Sequence, residues 1–224
     1  MSKIRFLAVI QLRENSERFK KKIFKKLKKN LTSKKIIFKN IKKLKFIDKI
    51  ILATGTKFKN PNVNRISNKL NVDIFYGSEN NVSYRYYNII KKYNPEFVIR
   101  ITADNPFTEV EYIKFLSKKI LNKKNNFVKL DNTSIPYGSG VEIFRSDFFV
   151  KNLKKIKTNY EKEHVYEHLK KLKGFKVYES PKNLSVFPFR VTFDTNEDFI
   201  FLRYVYNIKK VNNIFQIGRK VFNL

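Results

Sequence analysis

The stretch Phe97-Val-Ile-Arg-Ile-Thr-Ala-Asp104-Asn-Pro106 decides how the rest of the chain is read. Its first six residues are aromatic or β-branched apart from Arg100, the composition of a short buried strand. Asp-Asn-Pro then stops the strand in a turn. An apolar strand ending on a carboxylate and a turn belongs to an open parallel sheet, where ligands meet the carboxyl ends of the strands. Residues Phe97 to Thr102 are therefore expected to form a central strand with Asp104 just beyond it.

The same unit recurs on both sides. Upstream, Ile4 to Gln11, Lys49 to Thr54 and Val72 to Tyr76 read as strands. Between them, helical spacing joins Ile37, Ile41 and Leu44, then Val63, Ile66 and Leu70 with Pro61 near the start, and finally Val82 to Lys92. Downstream, Ile113, Leu116 and Ile120 share a helix face before a strand at Phe127 to Leu130. Tyr137 to Gly140 reads as a turn and Val141 to Phe144 as a strand. Leu153 with Ile156, and Val165 with Leu169 and Leu172, suggest two further helices. Phe175 to Glu179 and Phe189 to Phe193 suggest strands, and Phe199, Leu202 and Val205 open a last long helix. Strands alternating with helices predict an α/β fold built on a mainly parallel sheet. With 224 residues and no Gly/Ser-rich linker or repeat, one domain is the simplest account.

Composition narrows the chemistry. The chain has no Cys, which removes disulfides, thiolate metal sites and a Cys nucleophile and fits a reducing cytoplasm. The apolar run Ile4 to Leu12 is too short to span a membrane, so no membrane insertion is expected. The formal net charge of +30 alone would suggest a polyanion partner. Lys, however, is spread over nearly every segment, and Asn, Ile and Phe, which share its AT-rich codons, are abundant too. Solvated background is the better reading, and no specific nucleic acid is expected.

Candidate functional residues gather at the expected strand ends. The loop from Gln11 to Lys22 carries Arg13, Arg18 and Lys22 among small polar residues and has the means to wrap a triphosphate; a solvated basic loop is the alternative, which composition alone favours. Asp104 is placed to hold Mg²⁺ at a nucleotide or, equally, to cap a helix or form an Asx turn. Asp194 repeats the arrangement within Arg190-Val-Thr-Phe-Asp194-Thr195, again with helix capping as the alternative. Tyr160-Glu-Lys-Glu-His164-Val opens a helix and offers either an acceptor contact or an ordinary acidic first turn. His is too sparse for a zinc site. There is no recognisable Ser-His-Asp constellation, no P-loop sequence and no G-x-G-x-x-G after a strand.

Taken in order, these positions resemble a family, the spore-coat-polysaccharide type of cytidylyltransferase within the acylneuraminate and KDO cytidylyltransferase superfamily. Its opening loop, Q-A-R-x-G-S-T-R-L-P-G-K, is matched by Gln11, Arg13, Ser16, Arg18 and Lys22. Asn15, Lys20 and Lys21 stand where the family has Gly, Pro and Gly. Ala53 and Thr54 match a strand end. Gly77, Ser78, Glu79, Val82, Arg85, Tyr86 and Tyr87 match G-S-E-x-x-V-x-x-R-Y-Y. R-I-T-A-D-x-P is intact from Arg100 to Pro106, and G-x-E-x-F survives as Gly140, Glu142 and Phe144. Tyr160 to Val165 matches Y-E-R-E-H-V with Lys162 for Arg, and Arg190 to Asp198 matches R-x-T-x-D-T-x-E-D.

The resemblance implies a Rossmann-like nucleotidyltransferase fold, with a mainly parallel mixed sheet and helices on both faces. It implies transfer of CMP from CTP to a small hydroxylated acceptor, an acidic sugar being the expected one, with release of pyrophosphate. Arg13 and Lys22 would neutralise phosphate charge, and Asp104 and Asp194 would hold Mg²⁺. Gln11, Ser16, Arg18, Ala53, Thr54, Arg85 and Thr102 would bind the nucleotide. Glu142, Lys162 and His164 would face the acceptor. A homodimer is left open. The rival readings are a nucleotide-sugar-dependent glycosyltransferase of similar fold, for which no Asp-x-Asp motif is found at a suitable strand end; a basic nucleic-acid-binding protein; and a family member that binds nucleotide without turnover.

Overall fold

The structure is a computed structural model, and it describes residues 3–12, 24–28, 31–184, 189–192, 194–207, 211 and 213–221. The described strands are β1 (Phe6–Gln11), β2 (Lys26–Lys28), β3 (Leu31–Thr32), β4 (Lys49–Thr54), β5 (Asp73–Tyr76), β6 (Phe97–Thr102), β7 (Phe127–Leu130), β8 (Glu142–Arg145) and β9 (Phe175–Tyr178). The helices are α1 (Ser33–Ile41), α2 (Val63–Leu70), α3 (Val82–Tyr93), α4 (Val110–Ile120), α5 (Ser146–Asn152), α6 (Asn159–Glu163), α7 (Asn196–Asn207) and α8 (Ile214–Val221).

Seven strands form one sheet in the order β5-β4-β1-β6-β8-β7-β9, so β6 is the middle strand. The pairs β5/β4, β4/β1, β1/β6 and β7/β9 are parallel, whereas β8 runs antiparallel to both β6 and β7. The strands are apolar on both sides because both faces are covered. Along β1, Phe6, Ala8 and Ile10 enter one core with Ile36 and Ile37 of α1, Tyr112 and Leu116 of α4, Leu202 of α7 and Ile217 of α8. Leu7 and Val9 point the other way, into a second core with Val82, Tyr86 and Ile89 of α3 and Phe149 of α5. The mainly parallel mixed sheet with helices on both faces is thus present.

This topology creates the crevice in which a site can form. From β1 the chain passes to β4 and β5 on one side, then returns across β1 to form β6 on the other. The order reverses between β1 and β6, the usual place for a ligand in an open α/β sheet. The ladders run past the strand ends: Leu12 N donates to Ala53 O at 2.9 Å and Ala103 N to Gln11 O at 2.9 Å. Two helices, α2 and α3, end on asparagine where glycine is more usual. Asn71 after α2 and Asn94 after α3 take the left-handed conformation, with φ of 51° and 44°.

Several boundaries differ from the sequence reading. The helix expected at Leu153 and Ile156 is α5, which runs earlier and closes in a 3-10 turn at Leu153–Lys155. The helix expected through Val165, Leu169 and Leu172 is a 3-10 turn at Glu167–Leu169. His164 is extended there (φ −95°, ψ 94°) and ends α6. The apolar spacing was real, but it reported burial of Val165 and Leu169 rather than continuous helix. The strand expected at Phe189 to Phe193 is reduced, among its described residues, to a bridge between Tyr137 and Arg190. The β2/β3 hairpin and α8 were not anticipated.

Candidate functional site

A cleft of about 390 Å³ opens beside the carboxyl end of β6. Thr102, Asp104, Glu142, His164 and Asp194 all line it, so residues far apart in the sequence meet in one place. Each is brought there by a different device. Thr102 ends the middle strand and accepts a hydrogen bond from Asn105 Nδ2 at 2.6 Å, which folds the Ala103–Asn105 turn back over the strand end. Gly138 lets the 137–140 turn approach. Its φ is +95°, and a Cβ there would stand 2.7 Å from Thr192 N, so a side chain would be blocked by both conformation and backbone contact. Backbone bonds from Tyr137 N to Phe189 O (2.7 Å) and from Val191 N to Tyr137 O (2.8 Å) tie that turn to the segment carrying Asp194.

The helix-capping alternative for Asp194 resolves in favour of its neighbours. Thr195 and Asp198 form a reciprocal cap at the start of α7: Asp198 N donates to Thr195 Oγ1 at 3.3 Å, and Thr195 N donates to Asp198 Oδ2 at 3.1 Å. Asp194 N also donates to Asp198 Oδ2, at 2.8 Å. Asp194 itself is 6% exposed, and its carboxylate accepts from Arg190 Nη2 at 3.2 Å. Arg190 also binds Asp198 through Nε at 2.6 Å and lies 4.9 Å from the centre of the Tyr137 ring. Burial opposes the charge on Asp198, but the bond from Arg190 and the two backbone N–H groups outweigh it and hold the carboxyl below its usual range.

Under the cleft floor lies a buried polar chain. Arg100 donates to Glu142 Oε2 at 2.7 Å and to Gln11 Oε1 at 3.2 Å, and the Tyr86 hydroxyl donates to the same Gln11 oxygen at 3.5 Å. Register explains the pairing, since Arg100 faces Glu142 across β6 and β8. Burial works against charge on Arg100, yet the adjacent Glu142 carboxylate overcomes it and raises the guanidinium above its ordinary value. Burial likewise raises Tyr86, and raises Tyr166 to about 12 with help from Glu142. Arg100 stands in the R-I-T-A-D-x-P motif without an expected role of its own. Its place opposite a glutamate in register was the missed signal.

Other expected site residues lie elsewhere. Ala53 is wholly buried in the core shared with α3. Thr54 is also wholly buried, and among the described residues its hydroxyl has no hydrogen-bond partner. Arg85 is 2% exposed and donates through Nε to Ser78 O at 3.0 Å. It clamps the turn from which Glu79 reaches Thr56 N at 3.0 Å and Asn60 Nδ2 at 3.1 Å. The Gly77-Ser78-Glu79 element therefore ties the loop after β5 to the loop after β4. Lys162 does not line the cleft and donates to Asn159 Oδ1 at 3.0 Å. Arg13, Ser16, Arg18 and Lys22 lie outside the described residues. No group of three His, Asp or Glu side chains able to hold a metal occurs among the described residues. Two carboxylates are present, and Mg²⁺ commonly takes one or two together with substrate phosphates and water.

The cytidylyltransferase family model matches residues 7–219, nearly the whole chain and every element that builds the cleft. The chain belongs to the cytidylyltransferase family. It is similar to the uncharacterized protein MJ1063 of Methanocaldococcus jannaschii, with 35% identity over 199 residues, 88% of this chain and 81% of that one. It is also similar to the spore coat polysaccharide biosynthesis protein SpsF of Bacillus subtilis, with 24% identity over 164 residues, 71% of this chain and 67% of that one. Among solved structures, a cytidylyltransferase from Leptospira borgpetersenii serovar Hardjo-bovis shares the fold. It superposes with a TM-score of 0.82 at 24% identity, covering 92% of this chain and 87% of that one. As a member of this family the protein is a nucleotidyltransferase that uses CTP. Among the described residues no helix is long and apolar enough to cross a membrane.

Proposed function

We propose that this cytidylyltransferase transfers CMP from CTP to a hydroxyl of a small acidic sugar, with Mg²⁺ held by Asp104 and Asp194, and that it works in the cytoplasm. The observation that carries the reading is the meeting of Asp104 and Asp194 in one cleft beside the end of the middle strand. The donor set suits a hard cation that completes its shell with phosphate oxygens and water. Bound there, Mg²⁺ would offset charge developing around the α-phosphate.

The chain's own residues supply the rest. Asp198 and Arg190 hold Asp194 in place, and the Asn105–Thr102 bond holds the turn that carries Asp104. The Arg100–Glu142 pair makes a rigid floor. Arg13 and Lys22 meet the β- and γ-phosphates. The acceptor oxygen attacks the α-phosphorus in line, the bond to the bridging oxygen of the β-phosphate breaks, pyrophosphate leaves and the hydroxyl proton is released. Phosphoryl chemistry of this kind depends on positioning and charge stabilisation more than on covalent help from the protein. A sugar acceptor is supported by the similarity to the Bacillus spore coat polysaccharide biosynthesis protein, and an acidic one by the family resemblance of the Tyr160 to Val165 segment.

The test is calorimetric titration with CTP, with and without Mg²⁺, on the wild type and on Asp104→Asn and Asp194→Asn. The reading requires metal-dependent CTP binding that both substitutions weaken. Equal binding with and without metal, or binding unchanged in both variants, refutes the assignment of the metal to these two residues.

A further inference from the structure

Besides Asp104 and Asp194, the described cleft lining carries the charged side chains of Glu142, Glu167 and Lys129; the first two have an ionic partner and the third does not. Glu142 is bound by Arg100 at 2.7 Å. Glu167 is bound by Lys170 at 2.8 Å. Lys129 on β7 lines the same cleft and lies opposite Glu142 in the β7/β8 register, but the Glu142 carboxylate is turned to Arg100. Among the described residues, the Lys129 ammonium meets the neutral Asn132 Oδ1 at 3.3 Å and lies 5.2 Å from the centre of the Tyr166 ring, with no carboxylate within ion-pair distance. Lys129 is also the one Lys or Arg among the described residues lining the cleft.

A half-buried ammonium that faces an open cleft with no carboxylate in ion-pair contact is available to pair with an anionic ligand. Burial lowers the readiness of Lys129 to hold its proton, against the pull of Glu142; Lys170 adds to the lowering, while Asp131 and Glu167 oppose it. The cleft that Lys129 lines also carries ring faces suited to a sugar. The Tyr166 ring forms one wall, and Tyr160, 59% exposed, packs against His164 with ring centres 4.1 Å apart.

We propose that Lys129 is the acceptor's anion-binding residue, pairing its ammonium with a carboxylate or phosphate on a hydroxylated acceptor seated against Tyr166, Tyr160 and His164. This rests on the acidic-acceptor reading above and sharpens it, because it names the residue that would select an anionic acceptor over a neutral one. A single flexible ammonium meets an anion as a point charge, so it accepts carboxylate and phosphate alike.

The experiment measures binding to the full chain with Mg²⁺ and the non-reacting α,β-methylene analogue of CTP in place. Three probes are titrated calorimetrically: a 2-keto-3-deoxy sugar acid, its primary amide, and a polyol phosphate. The wild type should bind one of the two anionic probes at least about tenfold more tightly than the amide, the scale of one charge-assisted hydrogen bond. Lys129→Met should erase that preference while leaving affinity for the CTP analogue unchanged, and Lys129→Arg should restore most of it. Which anion is preferred separates a sugar acid from a phosphorylated acceptor. If the Met variant does not fold, Lys129→Gln is read in its place. A wild type without preference for either anion, or a preference that survives loss of the ammonium, overturns the assignment. Pyrophosphate release separates the two levels: turnover of neutral acceptors alone overturns the acidic-acceptor reading as well, whereas turnover of acidic acceptors with equal KM in wild type and Lys129→Met overturns only the role of Lys129.

Discussion

Removing the Glu142 carboxylate should expose how much the cleft floor depends on one buried ion pair. The side chains of Arg100 and Glu142 are only 13% and 17% exposed, and their contact is 2.7 Å. In Glu142→Ala the guanidinium remains buried, with Gln11 Oε1 at 3.2 Å as its remaining described side-chain hydrogen-bond partner. Truncating one member of a buried pair costs about 3–5 kcal/mol, because the other is left as an uncompensated charge. For a chain of this size that corresponds to a fall in Tm of about 6–20 °C. Glu142→Gln keeps an acceptor oxygen and should lose less. The double variant Arg100→Met/Glu142→Leu removes both charges and should recover most of the loss, so the two single effects will not add. Urea unfolding followed by circular dichroism gives the midpoint, and an unchanged slope confirms that stability alone has moved. A cost for Glu142→Ala below about 1 kcal/mol would mean that the pair behaves as a solvated surface contact and not as a buried one.

Three further outcomes follow from the same geometry. Asp104→Asn and Asp194→Asn should each reduce turnover at least about 100-fold while the unfolding midpoint stays close to wild type, a typical scale for lost transition-state charge stabilisation; full turnover in both removes them from the site. Thr195→Ala should lower stability by about 1 kcal/mol through loss of the α7 cap, and Asp198→Ala should lower it further because Arg190 loses one of its two carboxylate partners and keeps Asp194; no change in either would refute the capping assignment. His168 is buried, and among the described residues neither ring nitrogen has a hydrogen-bond partner; burial lowers its pKa from 6.5 to about 4. The unfolded chain therefore binds the extra proton first, so stability is lost as pH falls from 6.5 toward 4. His168→Phe should flatten that part of the stability curve, and an unchanged slope would contradict it.

The fold was legible because the strands of a doubly covered sheet are apolar on both faces and end abruptly. The run Phe97 to Thr102 gave the middle strand and the position of Asp104 directly. Legibility failed where periodicity and structure part. Val165 and Leu169 bury like helix residues, but the extended backbone at His164 is invisible to apolar spacing. The β2/β3 pair was hidden because Lys flanks Leu27, the buried residue of β2, and β3 is only two residues long. In the cleft, motif order brought out Thr102, Asp104, Glu142, His164 and Asp194. Arg85 and Lys129 needed the fold. The clamp that Arg85 forms on the turn at Ser78 is set by the fold and not by the motif, and a Lys in a chain carrying 49 Lys and Arg residues has no signal of its own.

The most direct measurement is phosphorus NMR of the purified protein with each of the four ribonucleoside triphosphates, Mg²⁺ and a panel of sugar acids and neutral sugars. CTP alone should be consumed, pyrophosphate should appear, and the α-phosphorus should move into a new diester with a sugar acid. Consumption of another triphosphate in preference to CTP, or a CTP signal unchanged across the whole acceptor panel, would contradict this transfer.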